Sequence, residues 1–339
     1  MKRYIRPLVQ TDVARPEDAV TLAAGWGWFT HVEVLSRDST AYVAPASVLS
    51  EHELAMLTKP RRDIAGLSFG APVLMGILNV TPDSFSDGGR HNDIDLAVKT
   101  AQDMVASGAS LIDIGGESTR PGADFVEADL EIARTAPVVA ALRRAGVRTP
   151  ISIDTRKAAV GQAALAAGAD IVNDVSGFTF DPDLALICVK QDAPVCVMHA
   201  QGDPETMQDN PHYDNVVLDV YDFLEKRIAG LVQLGVSADG IIVDPGIGFG
   251  KTQAHNLEIL TRISIFHSLG VPVLLGASRK GFIGKIGNEP RAEKRVAGSV
   301  GVALAAIGQG IHVIRAHDVT DHAQGLALWR ACVAKGGHG

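Results

Sequence analysis

From about residue 73 onward the chain keeps one rhythm. A short apolar, β-branched run ends in a polar residue, a longer stretch with helical patterning follows, and the unit recurs eight times. The runs occupy residues 73–79, 111–115, 151–154, 170–173, 195–199, 241–244, 273–277 and 311–315. Short buried strands separated by helices imply parallel pairing through right-handed crossovers. Eight such units over about 265 residues match an α/β (β/α)8 TIM barrel in count and length. An open doubly wound sheet is the structural alternative. Asn92-Asp93 opens an amphipathic stretch that reaches Ser107 and stops at Gly108. A second helix over 157–167 stops at Gly168 in the same way, and Asp181-Pro182 reads as a cap followed by a first-turn proline. The barrel is therefore assigned to residues 70–335. Residues 1–69, which hold Trp26 and Trp28, form an N-terminal extension whose mixed signals predict no definite structure.

Composition narrows the partners. Apolar residues make up 46% and charged residues 21% of 339, enough for a large core and too apolar for wholesale disorder. The balance of 31 Lys+Arg against 39 Asp+Glu gives a net charge of −8, which argues against nucleic acid as a partner. A small anionic substrate needs only a few well-placed cations and stays open. Cys188, Cys196 and Cys332 lack metal-ligand spacing and suit a reduced compartment. The basic start Met1-Lys2-Arg3-Tyr4-Ile5-Arg6 is followed by no apolar signal core, and no apolar run reaches the roughly 18 residues that span a bilayer. The expectation is a cytoplasmic protein without membrane contact.

In a barrel of this kind, reactive side chains gather at the carboxyl ends of the strands. Asn79, Glu117, Asp154, Asn173, His199, Asp244, Ser278 with Lys280, and Arg315 with His317 are all expected around one mouth. A single polar strand end usually caps a helix. Eight of them with opposed charges suggest recognition of a heteroaromatic or sugar-like molecule with a charged tail.

Several segments carry finer signals. Asn79-Val80-Thr81-Pro82-Asp83-Ser84-Phe85-Ser86-Asp87-Gly88-Gly89 is a polar loop that reads either as a turn-rich connection or as a lid closing Phe85 and Asp87 over substrate. Gly115-Gly116-Glu117-Ser118-Thr119-Arg120-Pro121-Gly122 offers close backbone approach with hydroxyl and guanidinium donors. Asp154, Asn173 and Asp244 offer acceptors to ring N–H and amino groups, and a buried carboxylate needs such donors or a counter-charge. The alternative is that each aspartate pairs with Lys280 or an arginine as scaffold. Pro245-Gly246-Ile247-Gly248-Phe249-Gly250-Lys251-Thr252 nearly matches an ATP-binding loop, but Pro245 replaces its first glycine and removes a backbone donor. Ser278-Arg279-Lys280-Gly281 and Arg315-Ala316-His317-Asp318 follow strands seven and eight, where eight-fold barrels often hold phosphate. Lys280 also allows a Schiff-base lysine, an idea that gives no role to its polar neighbours.

Together these segments resemble one family. Residues 75–89 are similar to the first signature of the dihydropteroate synthases, and Asp113-Ile114-Gly115-Gly116-Glu117-Ser118-Thr119-Arg120-Pro121-Gly122 to the second. Ile153-Asp154-Thr155, Val172-Asn173-Asp174, Met198-His199, 244–251, Ser278-Arg279-Lys280 and 315–318 follow in family order, so the resemblance covers roughly residues 70 to 332. It implies a (β/α)8 barrel that joins (7,8-dihydropterin-6-yl)methyl diphosphate to 4-aminobenzoate, with Mg2+, releasing diphosphate. By that resemblance Asp154, Asn173, Asp244 and Lys280 hold the pterin, and Arg315 lies beside the ring and reaches the diphosphate. Asn79 (metal) and His317 match the magnesium- and anion-binding positions. Thr119 and Arg120 belong to the second loop, Phe249 and Ser278 line the aminobenzoate side, and Phe85 and Asp87 close the first loop. A homodimer is the family expectation.

Two rivals share the fold. A pterin-binding methyltransferase would have no use for the diphosphate equipment of Asn79, Arg315 and His317. A non-catalytic pterin-binding protein would tolerate loss of the loop from Thr81 to Gly89, which is intact here.

Overall fold

A computed structural model of the chain describes residues 2–81, 90–118, 123–202 and 206–333. Phe85, Asp87, Thr119 and Arg120, which the sequence reading assigns to two loops, lie outside the described residues.

The extension is a folded unit. Strands β1 (Tyr4–Pro7), β2 (Val20–Thr21), β3 (Trp28–Phe29), β4 (His31–Leu35) and β5 (Tyr42–Pro45) precede helix α1 (Glu51–Thr58). β1, β4 and β5 form an antiparallel sheet in the order β1-β4-β5, with Tyr4 opposite Leu35 and Val34 opposite Tyr42; β2 and β3 pair separately. Ser50 starts α1 with a capping box, its hydroxyl accepting from Glu53 N while the Glu53 carboxylate accepts from Ser50 N at 2.9 Å. Ile5, Leu22, Phe29, Val32, Val34 and Leu57 give this unit a small core of its own.

The barrel strands are β6 (Val73–Asn79), β7 (Leu111–Gly115), β8 (Ile151–Asp154), β9 (Ile171–Asp174), β10 (Val195–Met198), β11 (Ile241–Asp244), β12 (Leu274–Leu275) and β13 (Val313–Ala316). They pair in parallel in the order β11-β10-β9-β8-β7-β6-β13-β12. The ring closes through a parallel bridge between Val243 and Val273, next to the bond from Val243 N to Pro272 O at 3.0 Å. Strands and outer helices alternate, and the closed ring excludes the open-sheet alternative. The helices are α2 (Arg90–Ala106), α3 (Ala128–Arg144), α4 (Ala158–Ala167), α5 (Asp183–Gln191), α6 (Val216–Leu234), α7 (Gln253–Thr261), α8 (Gly281–Ile286), α9 (Val296–Ile307) and α10 (Val319–Val333). Among the described residues no helix is long and apolar enough to cross a membrane.

Three local expectations shift. Strand seven shrinks to β12, because the chain turns off the ladder at Gly276, where an added Cβ would stand 3.4 Å from Asp244 Oδ2. Strand eight begins two residues late, because His312 N and Val313 N both donate to Val273 O. Asp181 accepts from Asp183 N, yet its shorter bond, 2.7 Å, comes from Ala158 N, so it also caps the neighbouring helix α4.

Side-chain parity divides each strand. Val73, Met75, Leu111, Ile171, Cys196, Ile242, Leu274 and Val313 point into the barrel and pack with Ile64, Leu67 and Phe69. The segment after α1 thus forms the floor at the amino ends of the strands. Ile112, Ile114, Ile153, Val172, Val195, Val197, Val243 and Ile314 belong instead to the larger core shared with the outer helices. Below the floor, buried Arg61 donates to the carbonyls of Met56, His267 and Gly270 at 2.8–3.0 Å. Trp26 Nε1 donates to Ile307 O at 2.9 Å. With the floor closed, the open end of the barrel is the mouth at the carboxyl ends.

Candidate functional site

Inward parity carries up each strand to the mouth. Asn79, Asp113, Asn173, Asp244 and Arg315 share the parity of the floor residues on their strands, and Asp154 has the parity opposite to Ile151 and Ile153 of the outer core. Arg315 on β13 reaches past β6. Its Nε donates to Asp113 Oδ2 at 2.6 Å and its Nη2 to Asp154 Oδ2 at 2.8 Å. Asn173 Nδ2 lies 3.3 and 3.4 Å from the two Asp113 oxygens. A guanidinium fork spanning two carboxylates is rigid, which a lysine at this position could not reproduce.

Asp154 keeps one unused acceptor. Its Oδ1 is buried with no hydrogen-bond partner, while Oδ2 serves Arg315. A buried acceptor without a donor is unfavourable in an empty site and becomes useful when a ligand supplies an N–H. Burial raises the pKa of the Asp154 carboxyl above the carboxylate range, Arg315 opposes this, and the nearby charge of Asp113 reinforces it. On Arg315, burial opposes the charge, but Asp113 and Asp154 more than offset it and hold the guanidinium cationic. Asp244 accepts from Gly246 N at 2.7 Å through Oδ1. Burial pushes its carboxyl up to about 6, against the opposing pull of that N–H, Lys280 and Arg315. Its Oδ2 faces Gly276, and Arg315 Cδ lies 3.9 Å from where a Gly276 Cβ would be. A glycine there lets both charged chains use the same space.

On the other side of the mouth, Lys280 Nζ stands 4.0 Å above the centre of the Phe249 ring. Gly248 beneath it has φ +83, and a Cβ there would meet Lys280 Cδ at 3.1 Å. Ser278 Oγ accepts from His317 N at 3.2 Å and pairs with His317 Nδ1 at 3.1 Å, which joins the exits of β12 and β13. Arg279 does not enter the site: its guanidinium pairs with Asp318.

Two residues expected at the mouth are not there. His199 follows β10 on the outward parity of Val195 and Val197, buried edge-on against Phe223 at 4.8 Å. Its Nδ1 meets Lys251 Nζ at 2.8 Å. Glu117 turns into a buried ion cluster with Arg156 and Lys157. Lys251, the lysine of the loop that imitates an ATP site, is also buried. It donates to the carbonyls of Gly246 at 2.9 Å and Phe249 at 3.1 Å, so it ties its own loop together instead of facing a phosphate. Asp113 is the residue that sequence reasoning passed over as part of an apolar strand. Its only signal was a carboxylate on the same alternation as Leu111 and Gly115.

Among the described residues there is no group of three or more His, Cys, Asp or Glu side chains placed to hold a metal ion. Asn79 presents a carboxamide oxygen at the end of β6, 3.7 Å from where a Gly115 Cβ would be, and Asp154 Oδ2 lies 3.8 Å from the same point. Mg2+ takes one or two protein oxygens and completes its shell with water and substrate phosphates. A carboxamide oxygen with a carboxylate oxygen nearby fits Mg2+ bound together with a diphosphate.

The family model for pterin binding enzymes matches residues 75–317. The dihydropteroate synthase of Synechocystis is 45% identical over 261 residues, 76% of this chain and 90% of that protein. The Xanthomonas albilineans dihydropteroate synthase, solved with 4-aminobenzoic acid, superposes with a TM-score of 0.76 at 43% identity, covering 82% of this chain and 99% of that one. The same enzyme in complex with 7,8-dihydropteroate gives 0.73 at 40% identity, covering 82% and 100%.

Proposed function

We propose that this chain, which belongs to the pterin binding enzymes and among them to the dihydropteroate synthases, joins (7,8-dihydropterin-6-yl)methyl diphosphate to 4-aminobenzoate. The products are 7,8-dihydropteroate and diphosphate. The observation that carries this reading is the unused, buried Asp154 Oδ1 beside an arginine fixed by two carboxylates. It offers an acceptor to the amino-pyrimidinone edge next to a cation for an anionic tail.

In the reaction the methylene C–O bond breaks, its electron pair leaves with the diphosphate, and the electron-rich pterin spreads the developing positive charge. The amine nitrogen of 4-aminobenzoate then forms the C–N bond and gives up a proton. Asp154, Asn173 and Asp244 accept from the pterin ring, and Lys280 flanks it. Arg315 and His317 neutralise the leaving group, the type of electrostatic assistance that needs donors held in place beforehand. The Asp113–Asp154 grip on Arg315 provides that rigidity, because the guanidinium need not reorganise as charge builds. Phe249 and Ser278 face the incoming aminobenzoate. Thr119 and Arg120 of the second loop, and Phe85 and Asp87 of the first, complete the site and exclude water. Asn79 would hold Mg2+ together with the diphosphate, and the ion would supply further charge neutralisation to the leaving oxygens. No covalent intermediate on Lys280 is needed. The enzyme works in the cytoplasm, as a homodimer.

The test is direct. The protein is incubated with the pterin diphosphate, 4-aminobenzoate and Mg2+, and dihydropteroate is measured. Retained pterin binding without product would overturn the synthase reading in favour of a binding protein. Sedimentation of the purified chain at the monomer mass would remove the dimer.

A further inference from the structure

Four charged side chains lie buried just behind the mouth, and the reaction as described uses none of them. Glu117, four residues beyond Asp113, accepts from Val126 N at 2.9 Å through Oε1. Its Oε2 is paired with Arg156 Nε at 3.2 Å and Lys157 Nζ at 3.0 Å, two and three residues beyond Asp154. Lys157 continues to Glu131 on α3 at 2.6 Å, and Glu131 has no exposed surface at all. The Phe180 ring covers the Arg156 guanidinium at 4.2 Å and Phe125 covers Lys157 at 4.7 Å, so water is kept from the cluster. The backbone before Glu117 is clamped as well. Arg134 donates to Gly116 O at 2.8 Å, and a Cβ on Gly116 would lie 2.7 Å from Thr135 Cγ2.

Burying two acids and two bases gives little net stability, since desolvation consumes most of the Coulombic gain. What such a cluster does give is geometry. One carboxylate ties the chain leaving β7 to the chain leaving β8, and these are the two strands whose aspartates grip Arg315. We propose that Glu117 is a positioning residue for the transfer reaction, holding the exits of β7 and β8 in the register that lets Asp113 and Asp154 share one guanidinium. This rests on the synthase reading above. Without the link each carboxylate can move separately, and Arg315 loses the fixed aim that leaving-group neutralisation needs.

The test compares two variants of the full chain. Glu117→Gln keeps an acceptor for Val126 N but turns its amide donor group toward Arg156 and Lys157. Glu131→Gln disturbs the same cluster from its α3 side, through Lys157, and leaves Glu117 with its bonds to Val126 N and Arg156 in place. For Glu117→Gln the expected result is a fall in kcat of about tenfold or more, with KM for the pterin diphosphate changed less than about threefold. Glu131→Gln should lower Tm by a comparable amount while keeping wild-type kcat. Wild-type kcat in Glu117→Gln overturns the proposal, and so does activity lost by both variants in proportion to Tm. An inactive wild type would overturn the synthase reading itself and this role with it, an outcome plainly distinct from an active wild type with an active Glu117→Gln.

Discussion

Removing Arg315 separates catalysis from stability in a single experiment. In Arg315→Ala, Asp113 loses the 2.6 Å bond and Asp154 the 2.8 Å bond that compensate their charges, and Asp113 is wholly buried. Breaking a buried pair by removing one partner costs about 3–5 kcal/mol. At about 2–4 °C per kcal/mol for a domain of roughly this size, Tm should fall by roughly 6–20 °C near neutral pH. The sign of the pH dependence follows from the unpaired acids. Burial already raises the pKa of the Asp154 carboxyl against the pull of Arg315. Without that pull it rises further, so the variant is stabilised below the ordinary carboxylate range and loses that stability as pH rises through the raised value. The Tm deficit relative to wild type should therefore be smaller at pH 5.5 than at pH 8. Catalysis loses a donor aimed at the leaving group, on the order of 3 kcal/mol, or about 150-fold in kcat/KM. Scanning calorimetry at both pH values and steady-state kinetics at a temperature where the variant is folded measure the two effects. Wild-type turnover would refute the assigned role of Arg315, and a deficit that grows at low pH would refute the account of its carboxylate partners.

Asp244 supplies a second pH signature. Its carboxyl is pushed up to about 6 by burial, and only the ionised form accepts from the ring N–H and amino group. Pterin affinity should therefore fall about tenfold per unit below that pH, and Asp244→Asn should bind weakly at every pH without unfolding; unchanged affinity in the variant removes Asp244 from the site. The effect on folding runs the other way, because a raised carboxyl pKa favours the folded state at low pH. Phe69 is 2% exposed in the barrel floor, so Phe69→Ala should destabilise the protein by about 3–5 kcal/mol with kcat retained. A Tm within error of wild type would mean that the segment after α1 is not integral to the barrel.

Some of the site was legible residue by residue and some was not. Asp154, Asn173, Asp244 and Arg315 all end strands in the sequence and stand together in the mouth. Lys280 with Phe249, and Ser278 with His317, are paired at its rim. Asp113 was not legible as a site residue, because one carboxylate inside an apolar run signals nothing until its neighbours are known. Its partner Arg315 lies 202 positions away. His199 and Glu117 looked equivalent to the others, yet they serve His199–Lys251 and Glu117–Lys157 contacts within the scaffold. The extension shows the same limit: its strands have two to five residues, too short for periodicity to declare them.

The sequence alone determined eight parallel strands alternating with helices and the set of polar strand ends, because parallel pairing follows from the crossovers. The choice of a closed ring over an open sheet needed the bridge between Val243 and Val273. Only the tertiary structure decided which of those ends face one another. Barrel strands are buried on both faces, so their apolar residues do not alternate with polar ones and the inward parity is hidden. Closing the ring reveals it: Asp113, Asn173, Asp244 and Arg315 stand on the inward parity of the floor and Asp154 opposite the outward Ile153, whereas His199 stands on the outward parity.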